Sequence, residues 1–272
     1  MDIFADKVAI VTGGASGIGR ALGAALAQRG TRVVLADVNA EGVQAAAAAL
    51  APRGVVSSAV VDVTDAASVE RVVNETASTH GRLDYMFNNA GIAIMGDARH
   101  MTLTDWNRLV DVNLRGVIHG VSAAYPIMIR QGFGHIVNTA SLAGITPTPG
   151  ATGYATTKHA VVGLSLSLRG EAAAYGVRVS VVCPGFIDTP IKDAIRWLTS
   201  DRDTMLADMP VRLYPPDACA RDILRGVAGN RPIIVVTRLA KIGWFLYRMA
   251  PRLALRGGQW VVQRSPLLRG QR

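Results

Sequence analysis

Cysteine is nearly missing: Cys183 and Cys219 are the only two in a chain of 272 residues. They form no CxxC and have no histidine at ligand spacing, so a disulfide framework and a zinc site are excluded and no metal is expected. Two buried, inert thiols in a reducing compartment are expected instead. Charge is scarce at 18%, as are aromatics at 6%, against roughly 25% charged residues in an ordinary soluble domain. With half the chain hydrophobic and 28 glycines, a packed, glycine-dependent interior is expected rather than disorder. Long apolar runs are missing too. Stretches such as 179–183 fall far short of the ~20 residues that span a membrane. Residues 1–7 offer neither a basic n-region nor a small-residue cleavage site, which points to a cytoplasmic protein.

Acidic residues are missing from the last fifth of the chain. Residues 221–272 hold eleven Lys and Arg against one acid, Asp222, a surplus of ten within an overall charge of +9, so residues 1–220 carry −1. An excess confined to one end fits a surface or tail function better than a nucleic-acid-binding fold. No nucleic acid is expected as a partner.

What is present is alternation. Short β-branched runs at 8–12, 32–37, 55–61, 83–88, 135–139, 177–183 and 233–236 are separated by helix-period stretches at 17–29, 40–51, 66–80, 104–131 and 154–175, with Thr64 and Thr102 as candidate caps. Several strand runs are apolar without alternation, as in parallel sheets covered on both faces. The pattern predicts right-handed βαβ units in a doubly wound, mostly parallel seven-stranded α/β sheet. No linker or repeat divides it. One domain over residues 1–237 and a basic C-terminal extension over 238–272 are expected.

Behind the first strand runs Thr12-Gly13-Gly14-Ala15-Ser16-Gly17-Ile18-Gly19. Glycines there permit a tight turn and close backbone approach, and the amides of the following helix start attract a pyrophosphate. A purely structural turn is the alternative, which the strand–turn–helix context disfavours. At the end of the second strand stands Asp37, placed to accept from adenosine ribose hydroxyls and to repel a 2′-phosphate. Ser16, Val38 and Asn39 provide no cation for such a phosphate. NAD is favoured and NADP is the alternative; a solvated or capping carboxylate is the other reading of Asp37. Tyr154 and Lys158 stand four apart at the start of a helix, hence on one face, where an ammonium favours the phenolate of a tyrosine and makes it a usable base. Many helices carry such a pair for structural reasons, so its weight comes from Ser141, which follows the fifth strand at the carboxyl edge of the sheet. Ser141 is otherwise an ordinary turn serine.

These residues carry a resemblance. Thr12-Gly-x-x-x-Gly17-x-Gly19, Asp62-Val63, Asn88-Asn89-Ala90-Gly91, Asn113, Ser141 with Tyr154-x-x-x-Lys158, and Pro184-Gly185 with Thr189 together resemble the short-chain dehydrogenase/reductase family in order and spacing over roughly residues 5–237. The resemblance implies a Rossmann fold binding NAD(P), with Tyr154 as proton donor or acceptor. It further implies that Ser141 orients the substrate oxygen and that Lys158 holds the nicotinamide ribose and lowers the Tyr154 pKa. Asn113 would fix a water in a proton relay. Cofactor contacts would come from Gly13, Ser16, Gly17, Ile18, Gly19 and Asp37, from Asp62 and Val63 at the adenine, from Asn89, Ala90 and Gly91 behind the fourth strand, and from Pro184, Gly185, Ile187 and Thr189 over the nicotinamide. It also implies a homodimer or homotetramer built on the stretches 104–131 and 154–175.

Substrate choice is assigned to residues 186–214 and those following Ser141. Ile191, Ile195, Trp197, Leu198, Met205, Leu206 and Met209 are helix-compatible and suit a lid over a lipophilic alcohol or ketone; packing on the sheet is the plainer use. The expected activity is NAD-dependent interconversion of a secondary alcohol and its ketone. An NADPH-dependent ketoreductase of a carrier-bound or small carbonyl and a cofactor-binding scaffold without turnover are the alternatives. In the tail, Leu239, Ile242, Leu246, Met249 and Leu253 form a stripe at helical period beside Arg238, Lys241, Arg248 and Arg252, flanked by Trp244, Phe245 and Tyr247. Such a helix either docks on a protein surface or contacts an anionic membrane.

Overall fold

A computed structural model describes residues 2–198 and 213–264. Seven strands, β1 (Val8–Thr12), β2 (Arg32–Asp37), β3 (Val56–Val60), β4 (Tyr85–Asn88), β6 (Gly134–Thr139), β7 (Val177–Pro184) and β9 (Ile233–Val236), form one sheet in the order β3-β2-β1-β4-β6-β7-β9. Every neighbouring pair is parallel, with Ile10 of β1 opposite Val34 of β2 and Met86 of β4. All five residues of β1 are buried, which explains why its sequence shows no polar alternation. The edge strand β3 is the exception, with Ser57, Ser58 and Val60 exposed and none of its residues buried.

The faces are covered by two helical layers. The α1 (Gly17–Ala27) and α2 (Ala40–Leu50) layer, with α8 (Pro216–Ala228), packs Leu22, Leu26, Val43 and Ile223 against Val11, Leu35 and Val182. On the opposite face α3 (Ala66–His80), α5 (Gly116–Gln131) and α6 (Thr152–Ala172) bring Val69, Val72, Met128 and Ala172 onto Ile10, Ile136 and Val179. The expected seven-stranded doubly wound fold is therefore present. The strand order reverses between β1 and β4, where open α/β sheets form their ligand crevice.

Several local readings change. The cap of α3 is Asp65, which accepts from Ala67 N–H at 3.0 Å, while Thr64 bonds to Asp62. The stretch 104–131 is interrupted: α4 (Leu103–Val110) runs through a π-helical turn, Asp111–Arg115, into α5. Such single π-turns occur often at functional sites, and this one carries Asn113. Helix α8 was not expected. Its polar, proline-led sequence gave no long periodic signal, yet its apolar stripe of Cys219, Ile223, Leu224 and Val227 is fully buried.

Beyond β9 the chain forms α9 (Arg238–Met249) and α10 (Pro251–Arg264). Helix α9 seats Ala240 and Trp244 against the third apolar cluster, beside Ala140, Leu142 and Cys183. Among the described residues no helix is long and apolar enough to cross a membrane.

Candidate active site

The carboxyl ends of the strands enclose a cleft of about 830 Å3 that runs from Asp37 on β2, past Gly13 and Gly17, to Ser141, Tyr154 and Lys158. Its floor follows from β1. Thr12 Oγ1 accepts from the N–H groups of Asn89 and Ala90 at 2.9 and 3.0 Å, which ties the loop after β4 to the glycine-rich turn. Asn89 Nδ2 donates to the Thr12 carbonyl at 3.0 Å. Gly13 holds φ +68°, and a Cβ on Gly19 would stand 2.0 Å from the Gly13 carbonyl oxygen. No residue with a side chain fits at Gly19 without displacing the turn. Ser16 caps α1 through its backbone alone, with no side-chain bond, so the first amides of α1 remain available as donors to an anion.

Asp37 stands at the mouth of this turn. Its Oδ2 accepts from Ala15 N–H and its Oδ1 from Asn39 N–H, both at 3.0 Å. Each oxygen keeps further acceptor capacity toward the cleft. Asp62, Val63, Asn89, Ala90 and Gly91 also line it, as do Ile18, Pro184, Gly185, Ile187 and Thr189. The single residue Gly19 lies behind the wall rather than on it. A pyrophosphate cradle, an acidic ribose end and an open cleft thus coexist, and the residues present fit a dinucleotide.

At the far end the side chains converge. Lys158 is 3% exposed, and its Nζ donates to the Thr139 carbonyl at 2.9 Å. Burial pulls its pKa down from 10.5 to about 8. Its Nζ lies 5.7 Å from the centroid of the Tyr154 ring. The Tyr154 phenol is held above its ordinary pKa by burial, with the hydrogen bond from Ser141 pulling the other way. Desolvation sets the direction, and Lys158 is not among the groups that move the phenol, so the lowering expected from it is not seen. Ser141 Oγ also accepts from Ala143 N–H at 3.2 Å, fixing its turn. Cys183 has its thiol pushed up to about 12 by burial, as has Cys219; both are free and buried, as expected.

Asn113 is fully buried at the π-turn. Its side chain bonds to the Ile92 peptide and to Thr157 Oγ1, the latter at 3.2 Å, and Thr157 in turn donates to the Tyr154 carbonyl at 2.8 Å. All four catalytic candidates thus belong to one connected cluster. Its supporting members, Thr139, Thr157 and Ile92, were not found in the sequence, since a hydroxyl in a helix and two backbone groups carry no spacing signal.

A second unexpected feature lies in the segment after β7. Arg196–Trp197 forms a short strand, β8, parallel to β5 (Ile94–Met95), and Arg196 Nη1 lies 2.9 Å from the buried Asp105 carboxylate. The residues after β7 are thereby tied to the segment after β4. Ile191 belongs to a four-residue helix, α7 (Ile191–Ala194), and lines the cleft. Met205, Leu206 and Met209 lie outside the described residues. A separate cavity of about 430 Å3 lies between the loop after Ser141 and the C-terminal helices, lined by Leu142, Pro147, Pro149, Tyr247 and Leu255 among others. Among the described residues no group of His, Cys, Asp and Glu could hold a metal.

Comparison with known proteins agrees with this geometry. A short chain dehydrogenase family model matches residues 7–197. The chain is 39% identical over 217 residues to levodione reductase of Leifsonia aquatica, covering 78% of this chain and 81% of that one. It is 36% identical over 220 residues to 3-oxoacyl-(acyl-carrier-protein) reductase FabG of Thermotoga maritima, covering 80% and 89%. Among solved structures, a short chain dehydrogenase/reductase from Burkholderia phymatum in complex with NAD superposes with a TM-score of 0.84 at 30% identity, over 98% of both chains. The crystal structure of levodione reductase gives 0.77 at 35% identity, over 86% of this chain and 96% of that chain. The chain belongs to the short-chain dehydrogenase/reductase family of oxidoreductases. The Burkholderia superposition is long enough to take in the C-terminal helices, which the matches to the curated relatives do not span in full.

Proposed function

We propose that this oxidoreductase uses NAD to interconvert a lipophilic secondary alcohol and its ketone, with Tyr154 as acid/base. The observation that carries the cofactor choice is Asp37, which presents a carboxylate to the cleft at the end of β2. A carboxylate there accepts from ribose hydroxyls and repels a 2′-phosphate. The cations among the described lining residues, Arg108 and Lys158, belong to α4 and α6 and not to the loop after β2. The Burkholderia relative, whose structure holds NAD, supports the same choice.

The division of labour follows from the cluster. When bound, NAD+ would supply the hydride acceptor and a positive ring charge. Ser141 donates to the substrate oxygen and holds it against Tyr154. Tyr154 as its phenolate takes the alcohol proton in oxidation, and as the phenol it returns that proton to the ketone oxygen in reduction. Lys158 would hold the nicotinamide ribose, and its Nζ stands 5.7 Å from the Tyr154 ring centroid. With the Asn113 side chain committed to Ile92 and Thr157, its main-chain carbonyl in the π-turn is the group that would hold a water for proton exchange with Lys158. Ile92, Ile187 and Ile191 in the cleft, with the apolar cavity at Leu142 and Leu255, support a lipophilic substrate. A homo-oligomer built on α4, α5 and α6 belongs to the same reading; Ile118 and Leu166 are apolar and partly exposed on α5 and α6.

A second reading, an NADPH-dependent reductase of a carrier-bound carbonyl, draws on the 36% identity to FabG. Titrating the protein and Asp37→Ala with NADH and NADPH separates the two. Tight NADH binding, with weak NADPH binding that the substitution relieves, is expected. Preference for NADPH in the wild type would overturn the NAD reading and put the second one first.

A further inference from the structure

The stripe singled out in the tail does not dock. Helix α9 turns Ala240 and Trp244 inward onto the third cluster, and Gly243 and Tyr247 face the smaller cavity. These positions are spaced by three and four and occupy one side of the helix. Leu239, Ile242, Phe245, Leu246 and Met249 fall on the other side and are between 53% and 70% exposed. Five large apolar side chains on twelve residues are a contiguous patch, which monomeric surfaces seldom leave without a use. Leu253, on α10, is 68% exposed as well.

Charge decides what fits it. Residues 238–264 include Arg238, Lys241, Arg248, Arg252, Arg256 and Arg264, and no acid. On the helical projection Lys241 and Arg248 run along one edge of the exposed stripe and Arg238 falls within it at the first residue of the helix, and Arg248 is steadied over the Trp244 ring at 5.0 Å. A second copy of this chain would bring six more cations toward the same face unless it offered acids, and the acids lie in residues 1–222, where the net charge is nearly balanced. An apolar stripe bordered only by cations, on a helix too short and too charged to span, is complementary to the headgroup layer of an anionic bilayer.

We infer that α9, with the start of α10, is a peripheral docking surface for anionic phospholipid membranes, with Ile242, Phe245, Leu246 and Met249 entering the interface and Lys241 and Arg252 meeting the headgroups. The inference goes beyond the oxidoreductase reading and does not depend on it. The test is co-sedimentation of the full chain with vesicles of phosphatidylcholine alone and with vesicles that also carry phosphatidylglycerol. Binding to the anionic vesicles only is expected. It falls at least about tenfold in Ile242→Ser/Phe245→Ser/Leu246→Ser, and about 30-fold in Lys241→Gln/Arg252→Gln. The replaced side chains are exposed, so unchanged thermal melting of both variants accompanies the loss. Equal binding to both vesicle types, or binding to neither, overturns the inference. In the second case sedimentation velocity distinguishes the replacement explanation: a mass that drops on the triple substitution makes the face an interface between copies of this chain.

Discussion

Asn113 grips the peptide of Ile92 with both ends of its side-chain amide: Oδ1 accepts from Ile92 N–H at 2.9 Å, and Nδ2 donates to the Ile92 carbonyl at 3.0 Å. Through its additional bond to Thr157, the same amide couples the loop behind β4 to the helix that carries Tyr154 and Lys158. The π-turn is what brings Asn113 inward, since the widened turn shifts the side-chain phase of the helix at that point.

Replacing Asn113 by Ala leaves the Ile92 N–H and carbonyl without their partners. Each orphaned buried group costs about 1–3 kcal/mol. Urea unfolding should show a loss of that order, and turnover should fall because the Tyr154 helix loses its tether. Equal stability of Asn113→Ala and wild type contradicts this role.

Lys158 is expected to make the protein gain stability in alkali relative to a neutral variant. Its pKa is about 8 in the folded chain against an ordinary 10.5. Between those values the unfolded chain binds a proton that the folded chain has shed, so stability rises with pH. The difference in unfolding free energy between wild type and Lys158→Met should shift toward the wild type by about 3 kcal/mol across that window. A difference that stays flat from neutral pH upward refutes the buried, weakened ammonium.

His135 carries a liability of the same sign at acid pH. It is 3% exposed on β6, its Nε2 is 2.8 Å from Ser180 Oγ, and burial, aided by Arg178 and Arg169, lowers its pKa to about 3. Ser180 spends its own proton on the Arg231 carbonyl, so Nε2 is the donor in that bond. As pH falls from 6.5 toward 3, the unfolded chain takes up a proton that the folded one refuses, and stability is lost. At about pH 4.5 the loss should be about 3 kcal/mol. His135→Gln should remove that part of the acid sensitivity, read as a smaller change in urea midpoint between neutral and acid solution.

The strands and the site loops were legible because both obey short-range rules. Continuous β-branched runs announce buried parallel strands, and glycines at 13, 17 and 19 serve a turn whose geometry needs them. The i, i+4 pair Tyr154 and Lys158 follows from helix periodicity. What stayed hidden depends on distance in the chain. The Arg196 to Asp105 contact joins residues 91 apart in the chain, and the two-residue strands it accompanies are too short to leave a pattern. The tail was half legible: its stripe and charges were plain, but the side that docks is the small-residue face with Ala240, which hydrophobic counting overlooks.

Under the proposed function Tyr154 is the acid/base for hydride transfer between NAD and a secondary alcohol. The measurement that tests it is NADH formation from a series of lipophilic secondary alcohols, for wild type and Tyr154→Phe, with NADH affinity measured alongside. The account predicts turnover about 10²–10⁴-fold lower in the variant, with NADH bound as tightly as by the wild type. Near-normal turnover in Tyr154→Phe would contradict it.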